Sequence, residues 1–121
     1  MYEAIKDLNP EQVAIAFDPA HAFIELGDGW KAEFDRLRSH FKIAYVKDAN
    51  RGTKRFVRFG EGDLGRTDFF KLLRTSGYQA PISMHTEYEW TEHGQAKDRA
   101  GLVQALRADL KVLKEWLGPA L

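Results

Sequence analysis

An α/β fold built on a parallel sheet is what this sequence predicts, and three observations predict it. Short apolar runs at 12–18, 42–48 and 81–88 alternate with stretches whose apolar residues recur at helical spacing. The first run is apolar on both sides: Val13, Ile15 and Phe17 alternate with Ala14 and Ala16, as in a parallel strand covered on both faces. Each run also closes on ionisable groups, namely Asp18, Lys47 with Asp48, and Glu87. Open and closed parallel sheets place their chemistry at that carboxyl end.

The elements follow in order. Tyr2, Ile5 and Leu8 share one side of a short helix over 1–8, which Asn9-Pro10 stops. After the first strand, Gln12–Asp18, comes a loop with Gly27 and Gly29, then a helix carrying Trp30, Phe34, Leu37 and Phe41. The second strand, Lys42–Asp48, sets Ile43, Tyr45 and Lys47 against Ala44, Val46 and Asp48. A long connection, 49–65, holds Arg51, Lys54, Arg55, Arg58 and Gly60-Glu61-Gly62 before Thr67 caps a helix built on Phe69, Leu72 and Leu73. Gly77 ends that helix, and the third strand, Pro81–Tyr88, places Ser83, His85 and Glu87 on one face. A last helix, 96–117, aligns Leu102, Leu106, Leu110, Leu113 and Leu117 in one stripe before Gly118-Pro119. Right-handed crossovers are expected between the parallel strands.

Composition narrows the function. A chain of 121 residues, 44% apolar and 30% charged, is sized for a single domain over 1–121 with a core. Eighteen basic residues balance 18 acidic ones, which argues against a phosphate-dominated nucleic-acid partner. Cysteine is absent, so neither a disulfide framework nor a thiolate metal site is available, and a cytoplasmic location is the expectation. No apolar run approaches the roughly 20 residues that span a bilayer, so no membrane partner is expected.

Several residues carry two readings. Asp18 at a strand end suits a divalent ion of the magnesium or manganese type, or shapes the turn before Pro19 through backbone amides. His21 contacts a substrate hydroxyl or phosphate, or lies on the surface. Lys47, sharing a face with Tyr45, holds an anion or polarises a carbonyl, or reaches water. His85 and Glu87 form an acid–base or ligand pair, or mark a strand running into solvent. Arg51, Arg55 and Arg58 clamp a phosphate, or form a solvated face. Gly60-Glu61-Gly62 is not a dinucleotide fingerprint, because no strand leads directly into it.

Taken together, Asp18-Pro19-Ala20-His21, Tyr45-Val46-Lys47-Asp48, Gly60-Glu61-Gly62, Gly77-Tyr78 and Pro81-Ile82-Ser83 leading to Glu87 resemble the C-terminal part of the xylose isomerase-like TIM-barrel superfamily. The resemblance implies a partial TIM barrel of three βα units, equivalent to strands six to eight, with helices on one side. It implies a sugar isomerase or epimerase-like segment: metal-assisted proton transfer beside the carbonyl of a sugar or sugar phosphate, completed by the missing barrel half. In that scheme Asp18 and Glu87 are ligands to Mn²⁺ or Mg²⁺, and Glu87 is also the catalytic base. His21, Lys47, Arg51 and His85 are the substrate contacts. Tyr45 stands where the family's run His-x-Lys-Asp carries a ligand histidine, and phenol, with a pKa of about 10, is the poorer neutral ligand. The resemblance also allows a second class, a non-catalytic truncated or split-barrel subunit that pairs with itself or with a complementing half. DNA repair of the endonuclease type is a third option, and the zero net charge counts against it.

Overall fold

The structure, a computed structural model, describes residues 1–88 and 99–118. Its strands are β1 (Ile15–Phe17), β2 (Phe41–Val46), β3 (Asp48–Asn50), β4 (Arg55–Val57) and β5 (Ile82–Met84). Its helices are α1 (Tyr2–Ile5), α2 (Pro19–Leu26), α3 (Trp30–Leu37), α4 (Phe69–Thr75) and α5 (Arg99–Leu117), with single 3₁₀ turns at Gly27–Gly29, Arg38–His40 and Leu64–Arg66.

The three expected strands form one parallel sheet in the order β1-β2-β5. Ala16 pairs with Ile43 and Phe17 with Ala44 on one side, while Ala44 pairs with Ile82 and Tyr45 with Ser83 on the other. The result is an unclosed barrel wall flanked by helices. Phe17 from β1 and Phe34 from α3 meet edge to face at 5.4 Å, and Phe69 of α4 stacks on Phe17 at 6.1 Å, so aromatic side chains fill the space between sheet and helices. Tyr78 adds a polar tie. Its hydroxyl accepts from Ala44 N at 3.0 Å and donates to Pro81 O at 2.6 Å, linking β2 to the entry of β5.

Four expectations change. The strands are shorter than the apolar runs: they end at Phe17, Val46 and Met84, before the ionisable residues, and β1 begins only at Ile15. The loop expected after the first strand is largely α2: Asp18 caps it by accepting from His21 N at 3.0 Å, and Pro19 takes the first helical position, where no amide is needed. The connection 49–65 is not structureless, since β3 and β4 form an antiparallel pair with Ala49 opposite Phe56. In α5 the buried face is Ala105, Asp109 and Leu113, and Leu110, expected in the apolar stripe, is exposed. The part of that helix expected over 96–98, and Pro119, lie outside the described residues.

Helix ends follow ordinary rules. Gly77 adopts φ +70°, the left-handed conformation that closes α4, and Tyr78 N reaches back to Leu73 O. The Thr67 hydroxyl accepts from Phe69 N at 3.3 Å, next to the cap position held by Asp68. Arg74 of α4 donates to Trp116 O and Leu117 O, satisfying carbonyls at the end of α5. Trp116 also stacks on Phe59 at 5.5 Å, seating α5 against the loop that follows β4.

Candidate active site

Three parallel strands deliver one ionisable residue each to the same place. Asp18 directly follows β1, Lys47 directly follows β2, and Glu87 lies three residues beyond β5. The Lys47 ammonium sits between the two carboxylates, 3.1 Å from Asp18 Oδ2 and 2.8 Å from Glu87 Oε1. Its side chain is only 5% exposed, against 39% for Glu87, so the lysine forms the floor and the glutamate the accessible rim. The ring of Phe56, from β4, covers the ammonium at 4.4 Å.

Two histidines border this trio. His21 Nε2 stands 3.8 Å from Asp18 Oδ2, and its ring meets the edge of Phe56 at 5.4 Å. His85 Nδ1 stands 3.6 Å from Glu87 Oε1. Tyr45 lays its ring against that of His85 at 4.6 Å, so the residue in the expected ligand-histidine position packs on the site's edge. Burial works to raise the Glu87 carboxyl, but the hydrogen bond and charge of Lys47, joined by those of His85, prevail and hold it below the ordinary carboxylate range. Glu87 is therefore an ionised acceptor at neutral pH.

Asp18, His21, Lys47, His85 and Glu87 thus come together as expected, while Arg51 goes elsewhere. Its guanidinium lies 5.2 Å over Phe23 and 3.6 Å from Asp28, beside a cleft that Trp30, Lys31 and Arg66 also line. Arg58 lies against Tyr88, whose hydroxyl donates to the buried Asp109 at 2.5 Å. Arg51 and Arg58 therefore lie against different groups, Arg51 beside Asp28 and Phe23 and Arg58 beside Tyr88.

Sequence reasoning missed two contributors. Phe56 was hidden in a stretch that reads as loop, although Arg55-Phe56-Val57 carries the alternation of a short strand. Asp48 is fully buried and accepts four backbone N–H groups: Ala49 and Leu64 on Oδ1, Gly60 and Gly62 on Oδ2, at 2.9–3.1 Å. The glycine-bearing loop thereby wraps one of the chain's own carboxylates. At Gly62 a Cβ would stand 2.4 Å from Asp48 Oδ1 and 2.6 Å from Ala49 O, so only glycine allows that approach. The signal was Gly60-x-Gly62 following an aspartate at a strand end.

A family model described as xylose isomerase-like TIM barrel matches residues 1–116. The chain belongs to this family. No curated protein and no solved structure gives a significant match. Membership of this isomerase- and epimerase-like barrel family agrees with the parallel sheet and with charged groups gathered at its carboxyl end. No helix among the described residues is long and apolar enough to cross a membrane.

The donors can be tested against the divalent ion that the family resemblance implies. Such an ion takes several oxygen or nitrogen donors facing one point. Among the described residues no group of three or more His, Cys, Asp and Glu is arranged to hold one. The two expected carboxylate ligands instead close on the Lys47 ammonium, and the expected nitrogen position is a phenol packed on His85. These residues by themselves do not fit a divalent ion, and further ligands would have to come from outside them.

Proposed function

We propose that this chain is the sugar-handling C-terminal segment of an isomerase- or epimerase-type barrel, with Glu87 moving a proton beside the carbonyl of a sugar or sugar phosphate. The observation that carries the reading is the Lys47 ammonium ion-paired with both Asp18 and Glu87 at the carboxyl end of the sheet. Glu87, ionised and partly exposed, takes the proton from the carbon next to the carbonyl. The C–H electron pair moves into an enediolate; the same proton or one from water returns to that carbon, or returns to its neighbour while the hydroxyl proton passes to the former carbonyl oxygen. His21 and His85, on either side, are the donors for substrate oxygens. Lys47 is a positioning residue here: its ammonium is spent on Asp18, Glu87 and the Phe56 ring, and it fixes the angle at which Glu87 meets substrate. The rest of the substrate wall comes from barrel elements beyond these three strands.

Binding tests this on the chain itself. Titration with a panel of ketoses and sugar phosphates, followed by NMR, should move the signals of His21, His85 and Glu87 together, and Glu87→Gln with His21→Ala should abolish the response. A folded chain in which no sugar moves those signals refutes the reading.

A second reading has its own support. In the order β1-β2-β5 each outer strand keeps one edge without a strand partner among the described residues, and exposed Met1 and Leu26 lie with Ile15 and Phe17 along a groove beside β1. A scaffold that pairs with another copy or with a complementing barrel half would cover those edges. It would associate without binding sugar.

A further inference from the structure

We propose that the Lys47 ammonium is this chain's built-in cation, standing between Asp18 and Glu87 where a divalent ion would otherwise bridge them. The proposal rests on the reading of Glu87 and Asp18 as one site, but not on sugar binding or proton transfer. Two oxygens from residues that follow different strands, Asp18 Oδ2 and Glu87 Oε1, stand at 3.1 and 2.8 Å from one nitrogen, which is the bridging role a metal plays between carboxylates. The lysine directly follows β2, the central strand, which β1 and β5 hold from either side, so the charge is delivered from a fixed strand end. Phe56 closes the remaining side of the ammonium at 4.4 Å, an aromatic face that suits an organic cation and offers a hard divalent ion no oxygen.

The neighbouring donors complete the substitution. Tyr45, in the position expected for a nitrogen ligand, packs its ring against His85 at 4.6 Å. His85 in turn points Nδ1 at Glu87 Oε1, the same oxygen that Lys47 holds. The site thus spends its carboxylate oxygens on nitrogen partners within the chain. A tethered ammonium keeps the two carboxylates together at every metal concentration, and it cannot be removed by a chelator.

The experiment is a Mn²⁺ titration, read by electron paramagnetic resonance of the free ion and by the melting temperature with and without Mn²⁺. The wild-type chain should show no saturable site, and EDTA should leave its melting temperature unchanged. Lys47→Met, which keeps the stem and removes the charge, should bind Mn²⁺ about 100-fold or more tightly than wild type, because the cation that competes for both carboxylates is gone. Its melting temperature should be lowered and then recover with Mn²⁺. Adding Glu87→Gln to Lys47→Met should abolish both effects, and Lys47→Arg should bind no Mn²⁺. If Lys47→Met does not fold, Lys47→Gln replaces it with the same expected outcomes. Saturable Mn²⁺ binding by wild type that is lost in Asp18→Asn or Glu87→Gln overturns the proposal, as does a folded Lys47→Met or Lys47→Gln chain with no gain in Mn²⁺ binding. Failure of sugar binding, by contrast, bears on the function proposed above and leaves these outcomes readable.

Discussion

Replacing Asp48 with asparagine should cost about 3 kcal/mol of stability, although the two side chains are nearly the same shape. Asp48 is fully buried, and each of its oxygens accepts two backbone N–H groups. Asparagine keeps one acceptor oxygen and turns the other into an NH₂ that faces two N–H donors. Two charge-assisted bonds at roughly 1.5–3 kcal/mol each are lost, while relief of the buried carboxylate's desolvation returns part of that. The remainder is a large share of the roughly 5–15 kcal/mol that holds a domain folded. Urea unfolding followed by circular dichroism should show the midpoint falling by about 1–2 M with the slope unchanged. Hydrogen exchange should show lost protection at Gly60, Gly62 and Leu64. A loss below about 1 kcal/mol, or amides as protected as before, would refute the view that this carboxylate organises the loop.

Other predictions follow from the same geometry. Burial raises the Tyr78 phenol against a lowering hydrogen bond from Ala44, so the folded state holds that proton more tightly than the unfolded chain. This stability is fully present below the ordinary phenol pKa of about 10 and is lost as pH rises through the higher folded value, so Tyr78→Phe should flatten the alkaline limb of a stability–pH curve. The Glu87 carboxyl is shifted the other way, so its contribution is present above the usual carboxylate pKa and fades as pH falls through the lower folded value; Glu87→Gln should remove that acid-side dependence. With both outer strands of the sheet unpaired among the described residues, light scattering should find self-association, and a compact, cooperatively melting monomer would count against exposed edges as docking sites.

The parallel sheet was legible because period-2 apolar runs and helical stripes are strong signals, and the strand ends were legible because ionisable residues interrupt those runs. Asp18, His21, Lys47, His85 and Glu87 could be nominated together for the same reason. What could not be read was which partner each would choose. Lys47 reaching water and Lys47 bridging two carboxylates have the same sequence, and only the register that sets β2 between β1 and β5 decides between them. Asp18-Pro19 was a readable helix start, and α2 was missed because Gly27 and Gly29 drew the whole segment toward loop. Leu110 shows the limit of counting leucines: Asp109 takes the buried face through the Tyr88 hydroxyl, a partner 21 residues away in the chain.

Proton exchange at a sugar carbon tests the central claim most directly. The chain is fused behind the first five βα units of a related epimerase and incubated in D₂O with ketoses and sugar phosphates, with and without Mn²⁺. Proton NMR should show loss of the signal from the carbon beside the carbonyl in at least one sugar, and Glu87→Gln should abolish that loss. A folded fusion that exchanges no sugar proton under either condition, or exchange that Glu87→Gln leaves unchanged, would contradict the assignment of Glu87 as the base and favour the scaffold reading.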